Sequence, residues 1–141
     1  MDYRKSETGF TIRLDRGEEL VETLTAFLAE RGVGRATLTA IGAVDDPELG
    51  LFTMKTREYL RRRFEGEYEL ASLTGNVTLV DGKPFAHMHA LLSDEDCRVI
   101  GGHLFSARVS VTCEIDLRVY KGELRRSRDD ETTLNLIDFD A

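Results

Sequence analysis

The sequence is poor in cysteine, proline and long apolar runs, and each shortage excludes a class of protein. Cys113 falls in an alternating pattern typical of a core position and Cys97 in a turn, and their spacing matches no zinc knuckle. With two prolines, 41% hydrophobic and 32% charged residues, the composition indicates a globular rather than a disordered chain. No apolar run is long enough for a membrane span, and Met1–Lys5 leads into polar residues rather than a signal core. We therefore expect a cytoplasmic protein that does not associate with membranes.

Basic residues are also in deficit. The chain has nineteen lysines and arginines and 26 acidic residues, which gives a formal charge of −7. A net negative charge repels the phosphate backbone of nucleic acids unless a local basic patch outweighs it. The one basic patch is "REYLRRRF", residues 57–64, with four arginines. We interpret it as a solvated, mobile segment rather than a nucleic-acid site. The length of 141 residues predicts a single domain, 1–141, that needs neither metal nor disulfide to fold.

The hydrophobic pattern predicts one helix among many strands. Apolar residues alternate in "GFTIRLD", residues 9–15, as in a strand, and then recur at helical spacing over about 17–31. Most of the remaining chain alternates with a period of two. This order predicts an α+β fold in which an antiparallel sheet, curled or in two layers, packs with one main amphipathic helix. An all-β barrel with one additional helix is the alternative.

Turn signals divide the later part of the chain. Asp81–Gly82 is a strong hairpin signal between two strands. Other turns are expected at Asp45–Pro47, which would separate strands 35–44 and 48–55, and at Ser93–Asp96. The segment 123–133 is polar and loop-like, and "LNLIDF", residues 134–139, is expected to form an edge strand.

All three histidines of the chain lie in "PFAHMHALLSDEDCRVIGGHL", residues 84–104. Residues two apart on a strand share a face, so His87 and His89 project side by side, and the turn that follows returns His103 towards them. Three converging imidazoles are typical of a catalytic-type zinc site with water in the fourth position, although nickel, copper or iron would accept the same ligands. Gly101 and Gly102 would permit a close approach and a bulge. The alternative is a set of half-buried histidines held by hydrogen bonds.

A reaction, if there is one, needs further groups. The metal would polarise a carbonyl or activate a water molecule. Glu69 in "EYEL" and Glu114 in "TCEID" are the candidate proton-handling residues, and Arg63 or Arg108 would hold an anionic substrate. Each of the four is equally explained as a solvated or salt-bridged residue of a strand face. The sequence therefore leaves open whether the protein is an enzyme.

Four ordered motifs carry a resemblance to a known family. "LTAIGAV", "YELASLTGNV", "PFAHMHALLSD" and "VIGGHLFSARVSVTCEI" resemble the plant-and-prokaryote-conserved (PPC) domain family over about Phe10 to Tyr120. The resemblance implies an α+β fold and a homotrimer. In plants the domain follows an AT-hook DNA-binding segment and serves assembly and partner contacts, and prokaryotic members inherit a DNA-binding label. This chain has no Arg-Gly-Arg-Pro core of an AT-hook.

The same resemblance extends to the fold of acetolactate decarboxylase, a zinc enzyme whose metal is held by a His-x-His pair and a later histidine. His87, His89 and His103 match that ligand pattern with a different gap, and no decarboxylase catalytic residue is matched by motif. Three functions follow as expectations. The first is a trimeric metal-binding PPC-domain protein of unassigned biochemical role, with zinc as the expected metal and a metal-dependent reaction on a small molecule left open. The second is a DNA-binding regulatory protein, and the third is a pure oligomerisation and partner-binding module.

Overall fold

The computed structural model describes residues 1–140, which form one helix and nine strands. Within residues 1–140, no helix is long and apolar enough to cross a membrane. In chain order the elements are β1 (Asp2–Lys5), β2 (Gly9–Asp15), α1 (Leu20–Glu30), β3 (Ala36–Thr53), β4 (Glu58–Arg63), β5 (Glu67–Val80), β6 (Lys83–Ser93), β7 (Val99–Val119), β8 (Arg125–Arg128) and β9 (Asn135–Asp138).

The strands form one sheet in which four members pair in a closed ring. β3 pairs with both β5 and β7, and β6 pairs with the same two strands, all in antiparallel register. β1 and β2 extend the sheet beyond β7, and β4 pairs with the second half of β3. β8 joins β5 by a single parallel pairing and carries β9 at the edge. The α+β class is confirmed, with a sheet that is mixed because of β8.

The helix is amphipathic and shorter than predicted. It begins at Leu20 rather than near residue 17, because Gly17 adopts a positive φ of 91° and turns the chain after β2. Glu19 is the N-cap, and its carboxylate accepts a hydrogen bond from the backbone N–H of Glu22 at 2.6 Å. The apolar face packs on β6 and β7 and is fully buried at Leu20, Leu24, Phe27 and Leu28.

One predicted turn, one segment predicted to be mobile and part of one predicted loop are strands. β3 continues through Asp45–Pro47, where the expected turn is replaced by register shifts and a positive φ of 47° at Asp46, so the extra residues are absorbed as bulges. The arginine-rich segment is the strand β4 rather than a mobile stretch, because Tyr59 packs against Phe52 of β3. Within the polar segment 123–133, Arg125–Arg128 form β8. Period-two alternation in these segments is hidden by charged residues.

The remaining strand predictions are confirmed. Asp81 and Gly82 both have positive φ, of 50° and 74°, and make the predicted two-residue hairpin between β5 and β6. Residues 134–139 contain the predicted edge strand β9. The long strand β7 departs from strict alternation where its register against β3 shifts: Val109 and Ser110 are both buried, and Val111 faces outward.

Candidate metal centre

The β6–β7 hairpin brings the three histidines together. His89 pairs directly with His103 across the ladder, and His87 lies two residues earlier on the same face of β6. The ring centroids are 5.1 Å apart for His87 and His89, 5.1 Å for His87 and His103, and 5.6 Å for His89 and His103. One nitrogen from each ring lies within 4.8 Å of the other two. The sequence spacing alone predicted this cluster.

The glycines beside His103 allow the neighbouring strands to approach closely. A Cβ atom on Gly102 would lie 2.9 Å from the carbonyl oxygen of Gly50, and one on Gly101 would lie 2.6 Å from the Leu91 side chain. The close approach predicted at this pair is therefore present. On the β6 side the register is unbroken from His89 to Ser93, and on the β3 side a register shift lies between Leu104 and Ser106, directly after His103.

Aromatic rings line the histidine cluster on one side. The ring of His103 packs at a tilt against Phe105, with ring centroids 4.7 Å apart, and against Tyr59 of β4 at 5.1 Å. Phe85 lies 6.4 Å from His87 by the same measure. Phe85 and Phe105 share the histidines' face through the two-residue period of β6 and β7, so the sequence contained a signal for them. The sequence carries no comparable signal for Tyr59, because the charged residues around it indicate a mobile segment rather than a strand.

The environment favours neutral imidazoles. Burial lowers the pKa of His103 to about 4, with the other two histidines and Arg61 contributing in the same direction. Burial is also the main cause of the lowered pKa of His87, followed by the nearby charge of Arg126. Neutral imidazole is the form that binds metals, so both residues are available as ligands at neutral pH.

Arg126 of β8 carries a positive charge to the edge of the cluster. Its guanidinium donates hydrogen bonds to the Thr78 hydroxyl at 2.8 Å, to the Asn135 carbonyl at 2.9 Å and to the Asn76 side-chain oxygen at 3.0 Å. Its Nη2 atom lies 3.5 Å from Nδ1 of His87. The burial of this group lowers its pKa. No signal in the polar segment 123–133 indicated this residue.

A cavity of about 280 Å³ opens beside the histidines. Its walls come from five parts of the chain, namely β4, β6, β7, β8 and residues 133–136, the last two of which belong to β9. The lining residues are Tyr59, Phe85, His87, His103, Phe105, Arg126, Thr133, Leu134, Asn135 and Leu136.

The other predicted site residues lie elsewhere. Glu69 pairs with Ser93 at the far end of β6 and lines a different cavity, and Glu114 pairs with Arg13 near the other end of β7. Arg108 is held by Asp45 through two hydrogen bonds of 2.7 and 3.0 Å, and the exposed Arg63 lies 3.9 Å from Asp46. The structure brings none of the four to the histidine cluster.

The donor set fits a tetrahedral metal ion. Zinc–nitrogen bonds of about 2.0–2.1 Å place ligand nitrogens about 3.4 Å apart, so nitrogens that lie within 4.8 Å of one another need to close by about 1.4 Å at most. Among residues 1–140, Nδ1 of His103 is one of two buried side-chain polar atoms without a hydrogen-bond partner. Such an orphaned atom is costly in a folded protein, and a metal ion bound through it would remove that cost.

Three comparisons place the chain among known proteins. It is similar to a metal-containing protein from Archaeoglobus fulgidus, with 37% identity, 97% of this chain and 99% of that chain covered, and a TM-score of 0.84. It is also similar to a suspected DNA-binding protein from Bacteroides thetaiotaomicron, with 27% identity, coverage of 99% and 98%, and a TM-score of 0.96. No curated protein sequence matches the chain.

The predicted fold resemblance to acetolactate decarboxylase is also present. The enzyme from Bacillus subtilis superposes with a TM-score of 0.54 at 15% identity, over 78% of this chain and 51% of that chain, which shows a shared fold and no more. The sequence matches the profile of the Plants and Prokaryotes Conserved (PCC) domain over residues 1–121. The protein therefore belongs to the PCC (or PPC) domain family.

Proposed function

We propose that the chain is a metal-binding PPC-domain protein in which His87, His89 and His103 hold one divalent ion, zinc before other metals. The observation that carries the proposal is the convergence of three ring nitrogens within 4.8 Å. The relative from Archaeoglobus fulgidus, described as metal-containing, supports it. Imidazole nitrogen without thiolate or carboxylate ligands suits zinc, and copper, nickel and iron are the competing ions.

We also propose that the site acts on a small molecule. A zinc ion with three histidine ligands polarises a carbonyl oxygen or acidifies a bound water molecule. The residues of this chain would contribute orientation and shielding: Phe105 and Tyr59 pack against His103 and limit its rotation. The cavity in front of the cluster would admit a substrate while its aromatic walls exclude water.

The test is metal analysis of the purified protein and of histidine variants. We expect one equivalent of zinc after reconstitution of the wild type, and strongly reduced occupancy when His87, His89 or His103 is replaced by alanine. The fold should survive, because a chain of 141 residues can bury enough apolar surface to fold without an ion. His87→Ala, His89→Ala and His103→Ala would each be compared with Asn76→Ala, which removes a neighbour of His87 but no ligand.

Two results would contradict the proposal. One is stoichiometric zinc in the triple-alanine variant, and the other is no zinc in the wild type after refolding with excess metal. Circular dichroism of each variant provides the control for folding.

A further inference from the structure

Arg126 is a half-buried cation whose polar partners are all neutral. Its guanidinium contacts a hydroxyl, a carbonyl oxygen, a side-chain amide and an imidazole, from Thr78, Asn135, Asn76 and His87. Other arginines of the described chain that are held in place meet carboxylates: Arg108 binds Asp45, and Arg61 lies 2.8 Å from Glu48. A buried charge without a counter-ion is costly unless a ligand supplies one.

The position of Arg126 shows where that ligand would lie. The guanidinium lines the cavity beside the histidines, and its contact of 3.5 Å with Nδ1 of His87 is at the limit of a hydrogen bond. An anionic group that entered the cavity would replace this marginal contact by a charge-assisted hydrogen bond. Three neutral imidazoles would also leave the charge of a divalent ion uncompensated, so both cations favour the same anion.

The rest of the cavity is apolar and small. Phe85 lies under the guanidinium, with its ring centroid 5.4 Å from Cζ of Arg126, and Phe105 and Leu136 supply further apolar wall. The volume of about 280 Å³ is at the lower end of the range for ligand sites. Arg126 and Leu136 lie beyond residue 121, so this wall is built by a segment outside the span that matches the family profile.

We propose that the cavity binds a small carboxylate with an apolar body, its carboxylate group held by Arg126 beside the metal and its body against Phe85, Phe105 and Leu136. The inference rests on the proposed function, since it places the ligand at the same histidine site. The planar guanidinium matches a planar carboxylate through two parallel N–H donors. A carboxylate is favoured over a phosphate because one guanidinium is the only cationic side chain among the lining residues.

The experiment measures binding of benzoate by calorimetry to the zinc-loaded and the metal-free protein, with benzamide as the neutral isostere. We expect benzoate to bind the zinc-loaded protein and benzamide to bind about tenfold more weakly or not at all, because loss of one partner of a buried charge pair costs at least that much. The Arg126→Met variant should still bind zinc, but its affinity for benzoate should fall by a similar factor. The Arg126→Lys variant should recover part of the lost affinity. The matched control is Arg125→Met, because Arg125 is exposed and pairs with Glu123.

The outcomes separate this inference from the proposed function. Two results would overturn the carboxylate site alone, provided that the protein binds one equivalent of zinc. One is equal affinity for benzoate and benzamide, and the other is undiminished benzoate binding in a folded Arg126→Met variant. Inorganic phosphate that binds more tightly than both benzoate and acetate would overturn the choice of carboxylate. If the histidine cluster does not bind zinc, the proposed function is contradicted instead. Benzoate binding that persists in that metal-free protein would still support the role of Arg126.

Discussion

The two cysteines of the chain lie in opposite environments. Cys113 of β7 is completely buried between β2 and β3, and burial raises the pKa of its thiol to about 12. Cys97 is exposed in the turn between β6 and β7, where its φ is 60°. Because the thiolate is the reactive form, the two side chains should differ strongly in reactivity.

We predict that one thiol reacts rapidly with Ellman's reagent in the native protein at pH 8, and that both react after unfolding in guanidinium chloride. Cys97→Ser should abolish the rapid phase, while Cys113→Ser should leave it unchanged. Two rapid equivalents in the native wild type would contradict the burial of Cys113.

The residues of the site differ in how far the sequence could predict them. The three histidines were found because the two-residue period of a strand and one turn relate them locally. Arg126 reaches the cluster through a single parallel pairing of β8 with β5, a long-range contact that leaves no periodic signal. Glu69 and Glu114 lie in strands near the motif, but position along a strand does not fix distance from the site when the strands are as long as β5 and β7.

At the scale of the elements, Gly75 of β5 lies where the backbone of β6 approaches too closely for a side chain to fit between them. A Cβ atom there would lie 2.4 Å from the carbonyl oxygen of His87 and 2.9 Å from the Met88 side chain. The glycine therefore sets the spacing of the two strands next to one proposed ligand. β5 is continuous through this position because glycine allows the neighbouring backbone to approach.

We predict that Gly75→Ala lowers the free energy of unfolding by about 1–3 kcal/mol, the usual cost of forced overpacking, and also weakens zinc binding without removing a ligand. Gly34→Ala is the control, since its Cβ would meet mainly the flexible side chain of Glu123 at 3.3 Å and should change stability by about 0.5 kcal/mol or less. Chemical denaturation and zinc titration measure the two effects. Equal stability of the two variants would contradict the close contact.

The strands that sequence reasoning missed share a physical cause. β4 and β8 are rich in arginine, so the apolar alternation that identifies a strand is absent from both. At residues 45–47 the turn-forming residues are accommodated as bulges because β3 pairs on both sides and continues. Local preference is overridden where neighbouring strands supply hydrogen bonds.

At the scale of the whole molecule, several large apolar side chains face outward. Leu51 and Leu60 lie opposite each other on β3 and β4 and are 67% and 61% exposed. Ile41 and Val111 are similarly exposed, at 59% and 66%. We propose that such surface is covered by further copies of the chain in a closed homotrimer.

We predict a mass three times that of the 15.9 kDa chain in light scattering at micromolar concentration. Leu60→Glu should lower the mass at a given concentration, because it introduces a charge beside Leu51. Lys55→Glu, in the exposed turn between β3 and β4, is the control. A monomer mass for the wild type would contradict the proposed assembly.

The arginines of β4 are partly neutralised by acidic neighbours. Arg61 forms an ion pair with Glu48, and Arg63 lies near Asp46. Together with the formal charge of −7, this arrangement opposes the approach of a phosphate backbone.

We predict no sequence-specific DNA binding by the isolated chain at physiological salt, although a similar protein is suspected of binding DNA. Fluorescence anisotropy with duplex DNA over a range of salt concentrations measures this, with a basic DNA-binding protein as positive control. A footprint that survives competitor DNA and changes position with sequence would contradict the prediction.

The β6–β7 hairpin has a consequence for the order of folding. The three proposed ligands are joined by one short turn, whereas pairings such as Phe10 with Leu117 close a loop of most of the chain. The entropy lost on loop closure increases with loop length, so local contacts tend to form before distant ones. The ligand cluster can therefore assemble before β2 docks on β7, and an ion captured at that stage would stabilise the hairpin while the rest of the sheet is still forming.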